Sequence, residues 1–162
     1  MNIILIGMPG SGKSTVGEKL REVTNFKLMD TDTYIENKTG YSIETIFKDK
    51  GEKYFRELER EVLCEIINYD GYVISTGGGF PIYNNNMELL NKIGFTIFLR
   101  IPIEELIKKD LSDRPLLAKS KEEALKKLYK ERLPIYNKAR LIVDSNNTTV
   151  ESIVKNIIDK IK

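Results

Sequence analysis

Short apolar runs alternate with longer amphipathic stretches along the 162-residue chain. The runs are rich in β-branched residues and are bounded by polar turns, which is typical of buried parallel strands. They cover residues 2–6, 26–29, 72–75, 95–99 and 141–143. Because strand-like and helix-like segments alternate, the pattern predicts an α/β domain with a mostly parallel sheet and helices on both faces. We see no internal repeat or linker and expect residues 1–162 to form one domain.

Apolar residues at helical spacing indicate where the main helices lie. Val16, Leu20 and Val23 predict one face of a first helix, and the segment 42–68 predicts helix with an interruption near Gly51. Residues 86–93 predict a short helix. A helical pattern over 122–138 contains Pro134, where we expect a break. The last helix has the clearest apolar face, formed by Val150, Ile153, Val154, Ile157, Ile158 and Ile161.

Composition narrows the chemistry that the chain can perform. It contains no histidine, which excludes imidazole acid–base catalysis and histidine-ligated metals. The single cysteine, Cys64, cannot form an internal disulfide, so we predict a cytoplasmic protein in which Cys64 packs as a small side chain. No apolar run reaches membrane-spanning length or forms a signal-peptide core. A net charge of only +2 gives no reason to expect nucleic acid or a membrane as partner.

The charge is unevenly distributed along the chain. Residues 30–70 carry 11 acidic and 6 basic side chains, whereas residues 108–140 carry 5 acidic and 11 basic ones. A charged segment is most often a solvated face, and most of these lysines are expected to be that. The alternative is a basic segment that folds over a triphosphate.

A phosphate-binding loop follows the first predicted strand. Residues 7–14, with the sequence Gly-Met-Pro-Gly-Ser-Gly-Lys-Ser, match G-x-x-x-x-G-K-[ST] and lie between a strand and a helix, as that motif requires. Glycines allow several backbone N–H groups to turn inward, and the helix N-terminus favours an anion. Lys13 can reach the β- and γ-phosphates and the Ser14 hydroxyl can bind Mg²⁺. The sequence therefore predicts a protein that binds a nucleoside triphosphate.

Two polar segments follow later strands, where ligands bind in parallel α/β sheets. Asp30 and Asp32 come after the second strand, and we expect at least one of them to cap the next helix and the pair to lie near the nucleotide. Gly77, Gly78 and Gly79 come after the third strand. The glycines indicate either a tight turn or the close approach of a ligand or of the phosphate loop, and the spacing does not distinguish these.

Two other segments resemble parts of nucleotide-binding motifs. Residues 141–144 resemble a Walker B strand, but they form the last strand, so we expect Asp144 to be a turn residue distant from the phosphate loop. Asn137 and Lys138 begin like a guanine-binding motif that lacks its aspartate. A GTPase switch is therefore disfavoured.

Six segments, taken in order, closely resemble the shikimate kinase family over nearly the whole chain. They are the phosphate loop, Asp30-Thr31-Asp32, Phe55-Arg56-Glu57-Leu58-Glu59, Ser75-Thr76-Gly77-Gly78-Gly79, Arg114-Pro115-Leu116-Leu117 and Arg132-x-Pro134-x-Tyr136. The resemblance implies a P-loop NTPase fold of the nucleoside monophosphate kinase type, with three αβα layers, five parallel strands and a mobile lid. It also implies ATP-dependent phosphorylation of the shikimate 3-hydroxyl in aromatic amino-acid biosynthesis, with Mg²⁺ as cofactor. We expect a monomer.

The resemblance also assigns roles to individual residues. It implies that the ATP phosphates are bound by Gly10, Ser11, Gly12, Lys13, Ser14 and Thr15, with Arg114 descending from a lid at residues 110–122. It implies Mg²⁺ at Ser14 and, through water, at Asp30. Asp32 would receive the reacting hydroxyl and act in catalysis with Lys13 and Arg114. Residues 30–60 would form the substrate-binding segment. Shikimate would be bound by Asp32, Phe47, Phe55, Arg56, Gly77, Gly78, Gly79 and Arg132.

The chain departs from the family at the adenine end. Where relatives often carry arginines, it has Lys108-Lys109 and, after the last strand, Ser145-Asn146-Asn147. Arg56 and Arg132 fit an anionic acceptor, because a guanidinium matches a carboxylate in two parallel bonds. Without the resemblance, the sequence favours Arg56 as an ion-pair partner of Glu52 or Glu59 and Arg132 as a solvated side chain.

Two alternative functions stay open at this stage. The first is a related P-loop kinase that acts on gluconate or a nucleoside monophosphate. The second is a nucleotide-binding switch without catalytic activity, although the incomplete guanine motif disfavours it.

Overall fold

The computed structural model of the protein describes residues 1–111 and 118–162. Five parallel strands form one sheet in the order β2-β3-β1-β4-β5. The strands are β1 (Asn2–Ile6), β2 (Lys27–Asp30), β3 (Tyr72–Ser75), β4 (Gly94–Arg100) and β5 (Leu141–Asp144). The helices are α1 (Lys13–Thr24), α2 (Thr31–Thr39), α3 (Ile43–Lys50), α4 (Glu52–Ile66), α5 (Asn86–Ile93), α6 (Ile103–Leu111), α7 (Ala118–Tyr136) and α8 (Val150–Ile161). The α/β prediction, with five parallel strands, is confirmed.

Side chains of the central strands alternate between two hydrophobic cores, because successive residues of a strand point to opposite faces. Ile4 and Ile6 of β1 pack in one core with the apolar faces of α4, α5 and α7. Ile3 and Leu5 pack in the other core with α1 and α8. All five residues of β1 are buried, which explains why this strand shows no polar alternation.

The strand order determines where ligands can bind. β2 and β3 lie on one side of β1, and β4 and β5 lie on the other. In such sheets a crevice opens beyond the carboxyl ends of the strands where the order reverses. The loop that follows Ile6 therefore begins at the middle of the sheet, between the segments that follow β3 and β4.

Three predictions made from local sequence are wrong. Val23 is 52% exposed, because the last turn of α1 faces solvent at Arg21, Glu22 and Val23. Cys64 is exposed, because it lies beside the buried stripe of α4 and not within it. Pro134 does not break α7, which continues to Tyr136. A proline costs one backbone hydrogen bond, and here that loss falls in the final turn.

No helix in the described parts of the chain is both long enough and apolar enough to cross a membrane. The apolar faces of the helices pack against the sheet instead. In α8, Ile153, Val154 and Ile157 are buried, as the pattern predicted.

The contrast between Leu20 and Val23 can be tested by truncation. Leu20 is 0% exposed, so Leu20→Ala should lower the free energy of unfolding by about 2–5 kcal/mol through lost burial and a cavity. Val23→Ala is the matched control, and it should change stability by less than about 0.5 kcal/mol. Urea unfolding of both variants measures the difference. Equal losses in the two variants would contradict the burial described here.

Candidate active site

The phosphate loop connects β1 to α1. Gly12 caps α1 with φ 93°, a left-handed conformation that glycine adopts without strain. Lys13 is 8% exposed, and its Nζ donates to the carbonyl oxygens of Gly7 at 2.8 Å and Met8 at 2.9 Å. The ammonium group is thus held against the inner side of the loop.

Burial changes the acidity of Lys13. Desolvation lowers its pKa to about 8, although the negative charges of Asp32 and Asp30 oppose this shift. The lysine is therefore a cation at neutral pH in a poorly hydrated position. In such a position an ammonium group interacts strongly with an incoming phosphate.

Asp30 and Asp32 lie at the junction of β2 and α2. Asp30 caps α2 by accepting from the Thr33 N–H at 2.9 Å, as the sequence predicted for one of the pair. Asp32 follows in the first turn, and its Oδ1 is buried without a hydrogen-bond partner among the described residues. Burial and the nearby Asp30 raise the pKa of Asp32, while Lys13 opposes the shift. A buried oxygen of this kind can accept a hydrogen bond from a ligand hydroxyl.

One cavity of about 470 Å³ joins the phosphate loop to the carboxyl ends of β2 and β3. From the loop it is lined by Pro9, Gly10, Gly12, Lys13, Ser14 and Thr15, and from the other segments by Asp30, Asp32, Ser75, Thr76, Gly77, Gly78 and Lys109. Ser11 is buried within the loop, 3% exposed. Lys109 of α6 reaches the loop and donates to the Gly10 carbonyl at 3.0 Å.

The three glycines after β3 allow side chains from four other segments to approach the backbone. A Cβ at Gly77 would lie 2.6 Å from Asp32 Oδ1, and a Cβ at Gly79 would lie 2.5 Å from Arg56 Nη1. A Cβ at Gly78 would lie 2.8 Å from Pro9 Cδ and 2.9 Å from Arg132 Nη1. These distances are shorter than real Cβ atoms tolerate. The structure therefore shows close approach, with the phosphate loop as one of the partners. It shows a tight turn as well, because the Phe80 N–H donates to the Gly77 carbonyl at 3.0 Å.

Arg56 on α4 is enclosed by charged and aromatic side chains. Its Nη1 donates to Glu59 Oε1 at 2.6 Å, and its Nε and Nη2 lie 3.4 Å from Glu52 Oε1. Its Cζ is 5.2 Å from the Phe55 ring centroid and 5.9 Å from that of Phe47. Both carboxylate partners expected from helix spacing are present. Because its side chain is only 11% exposed, Arg56 is not an ordinary surface ion-pair residue.

Arg132 and Tyr136 extend from α7 towards the glycine loop. Arg132 is 8% exposed, so the solvated alternative is wrong. Tyr136 is fully buried, and its hydroxyl donates to the Gly78 carbonyl at 2.6 Å. The i, i+4 spacing places both side chains on one face of the helix, which explains the distance between them in the motif.

Phe47 and Phe55 form an aromatic pair with ring centroids 4.9 Å apart. Phe55 is 3% exposed, whereas Phe47 is 36% exposed and forms the outer member. Thus the structure brings Asp32, Arg56, Arg132 and the glycines together beside the phosphate loop. Arg114 lies outside the described residues, as do all of residues 112–117 of the predicted lid at 110–122.

Sequence reasoning identified Glu59 of the Phe55–Glu59 motif only as an ion-pair partner of Arg56 and did not predict its burial. Its side chain is 1% exposed, and its Oε2 is buried without a hydrogen-bond partner in the described structure. Burial raises the pKa of Glu59 to about 7, although Arg56 opposes the shift. The i, i+3 spacing from Arg56 places the two side chains on one helix face, and it predicted the contact but not the burial.

Arg100 and Asp144 form an ion pair between the two neighbouring strands β4 and β5. Asp144 is the last residue of β5 and not a turn residue as expected. It binds Arg100 of the adjacent strand in two hydrogen bonds, of 2.7 and 3.1 Å. Asp144 does not line the phosphate-loop cavity, so its likeness to a Walker B residue carries no metal role.

Comparison with known proteins identifies the family. The family model for shikimate kinase matches residues 9–162. The chain belongs to the shikimate kinase family. A shikimate kinase of Clostridium botulinum (strain 657 / Type Ba4) is 49% identical over 150 residues, which cover 90% of this chain and 88% of the relative. Members of this family are ATP-dependent phosphotransferases that act on an alcohol group.

Solved shikimate kinase structures share the fold. The enzyme from Bacteroides thetaiotaomicron superposes with a TM-score of 0.89 at 31% identity, covering 99% of this chain and 98% of the other. The enzyme from Acinetobacter baumannii, solved in complex with shikimate, gives a TM-score of 0.88 at 35% identity and covers 99% and 92%. The predicted kinase fold of three αβα layers is therefore confirmed.

The buried carboxyl of Glu59 predicts a measurable pH dependence. Its pKa rises from the ordinary value of 4.5 to about 7 on folding, so between these pH values the folded protein binds more protons than the unfolded chain. Linkage then makes the free energy of unfolding fall as pH rises through this window. Glu59→Gln cannot titrate, so wild type should lose about 2 kcal/mol more than this variant between pH 4.5 and 7.

Urea unfolding across that pH range is the measurement. Glu57→Gln, an exposed residue of the same helix, is the matched control and should follow the wild-type profile. Parallel profiles for wild type and Glu59→Gln would contradict the burial of a titrating carboxyl at this position.

Proposed function

We propose that this chain transfers the γ-phosphoryl group of ATP to the 3-hydroxyl of shikimate, giving shikimate 3-phosphate and ADP in aromatic amino-acid biosynthesis. The observation that carries the proposal is the meeting of Asp32, Arg56 and Arg132 at consecutive glycines beside the phosphate loop. A hydroxy acid requires a carboxylate that accepts a hydrogen bond from its hydroxyl and guanidinium groups that donate hydrogen bonds to its carboxylate. Family membership supports the same substrate.

At the nucleotide end, the loop from Gly10 to Thr15 binds the ATP phosphates through its backbone amides and the start of α1. Lys13 places a positive charge next to the β- and γ-phosphates. Arg114 adds a further positive charge from a lid at residues 110–122, which closes over the reactants and excludes water.

The residues at this end fit a magnesium ion. Ser14 and Asp30 line the same cavity and provide a hydroxyl and a carboxylate, which are hard oxygen donors of the kind that Mg²⁺ prefers. Mg²⁺ usually combines one or two such donors with waters and substrate phosphates. When bound, the ion neutralises charge on the phosphates.

At the acceptor end, Arg56 and Arg132 bind the shikimate carboxylate, and the Gly77–Gly79 backbone lies along one side of the ring. Phe47 and Phe55 form an apolar wall. Residues 30–60 thus act as a substrate-binding segment within a single kinase domain. A guanidinium binds a carboxylate in two parallel bonds, so two arginines fix both the position and the direction of the acceptor.

Asp32 performs the proton chemistry. Phosphoryl transfer has a loose transition state, so catalysis depends mainly on alignment and on neutralising charge. The unpartnered Oδ1 accepts the hydrogen bond of the reacting hydroxyl and takes its proton late in the transfer. The raised pKa of Asp32 makes it a better base than an exposed aspartate.

The substrate assignment can be tested against the two alternatives. ADP release is measured with ATP, Mg²⁺ and, separately, shikimate, gluconate and nucleoside monophosphates as acceptors. Shikimate should stimulate ADP release most strongly. Stimulation by gluconate or a nucleotide alone would establish a related kinase instead, and tight ATP binding without stimulation by any acceptor would establish a switch.

The properties of the protein in solution follow from this function. We propose a monomer that acts in the cytoplasm and binds neither nucleic acid nor membrane. The net charge of +2 supports this, since it gives no strong electrostatic attraction to a polyanion.

The role of Asp32 predicts a selective loss of turnover. Asp32→Asn keeps the shape but removes the base, so kcat should fall by about 10²–10⁴-fold while the KM for shikimate changes by less than about threefold. Steady-state kinetics with both substrates provide the measurement, and Asp159→Asn on the exposed face of α8 is the control. A rise in KM without a fall in kcat would make Asp32 a binding residue only.

A further inference from the structure

Two carboxylates lie next to the Arg56 guanidinium, and they are bound with different strength. The buried Glu59 accepts from Nη1 at 2.6 Å. Glu52 is 53% exposed, and its Oε1 lies at the longer distance of 3.4 Å from both Nε and Nη2. The Nε and Nη2 groups form one of the paired N–H edges with which arginine binds a carboxylate in two bonds. Glu52 is therefore next to an edge that a substrate carboxylate needs.

The Tyr83 hydroxyl holds Glu52 in this loose position. It donates to Glu52 Oε1 at 2.8 Å, so the oxygen that faces Arg56 has its shorter contact with the tyrosine. This hydrogen bond lowers the pKa of Glu52 and raises the pKa of Tyr83. At neutral pH Glu52 is consequently a carboxylate and Tyr83 a neutral donor.

The Tyr83 ring packs against the Arg56 guanidinium. Its centroid lies 4.2 Å from Arg56 Cζ, which is shorter than the distances from Cζ to the Phe47 and Phe55 rings. Arg56, Glu52 and Tyr83 also line one cavity of about 380 Å³. The guanidinium is thus stacked on an aromatic face while a ligand from solvent can reach it.

We propose that Tyr83 is a positioning residue for acceptor binding, which restrains Glu52 and so keeps the Nε–Nη2 edge of Arg56 open to the substrate carboxylate. This inference rests on the proposed function, in which Arg56 binds the carboxylate of shikimate. Without the tyrosine hydroxyl, Glu52 closes onto Arg56 as an i, i+4 ion pair with two short bonds. Shikimate must then displace Glu52 before it can bind.

The conservative variant Tyr83→Phe isolates the hydroxyl, because it keeps the ring on the guanidinium. It should raise the KM for shikimate about fivefold, the size of effect expected for one hydrogen bond. The kcat and the KM for ATP should remain within about twofold of wild type, because neither Tyr83 nor Glu52 lines the phosphate-loop cavity. Tyr54→Phe is the matched control, since Tyr54 lies on α4 and lines a separate cavity.

A second substitution separates this role from general packing. Glu52→Gln removes the competing charge, so the double variant Tyr83→Phe/Glu52→Gln should return the KM for shikimate to the wild-type value. Glu52→Gln alone should leave that KM at or below wild type. A packing role for Tyr83 predicts no such rescue.

The outcomes distinguish this inference from the proposed function. A wild-type KM in Tyr83→Phe, or a raised KM that Glu52→Gln does not restore, would overturn the inference while leaving the function intact. Failure of the wild-type protein itself to phosphorylate shikimate would overturn the function, and the inference with it. A raised KM restored in the double variant would support the role of Tyr83.

Discussion

The close approach of three side chains to the backbone of Gly77–Gly79 is the constraint on which the site depends. Asp32 comes from α2, Arg56 from α4 and Arg132 from α7, and each would collide with a Cβ atom at one of the three glycines. The same loop meets the phosphate loop at Pro9. A polypeptide can bring four segments to one short stretch only if that stretch occupies almost no volume. Backbone entropy is the cost of this arrangement, and a compact acceptor site beside the nucleotide is the result.

Burial of charge is the second feature that organises the site. Lys13, Glu59 and Arg132 are buried, Asp32 is partly buried, and side chains of opposite charge lie close to one another. Desolvation lowers the pKa of the lysine and raises that of both carboxyl groups. A site of this kind costs stability in the free protein, because buried charges lose hydration that their partners only partly replace. The same poor hydration strengthens the interactions that align a phosphate and an acceptor.

Local patterns in the sequence predicted the sheet, the phosphate loop and the cap at Asp30, because each depends on neighbouring residues. The pairing of Arg56 with Glu59 was also accessible, since helix spacing brings them together. The partner of each glycine was not, because contacts between Gly78 and Arg132 or between Gly79 and Arg56 depend on how distant helices pack. Likewise, the exposure of Cys64 depends on which face α4 buries, whereas the prediction relied on the usual behaviour of the residue type.

The most direct test of this account is Gly79→Ala, which adds the single Cβ atom that the packing of Arg56 forbids. The account predicts that the KM for shikimate rises about tenfold or more, since the guanidinium must move, while the KM for ATP changes by less than about twofold. Gly71→Ala is the control, because Gly71 has open space at its Cβ position but a left-handed backbone with φ 74°, so alanine there costs stability without displacing Arg56. An unchanged KM for shikimate in Gly79→Ala, with the protein folded, would contradict the claim that this close approach builds the acceptor site.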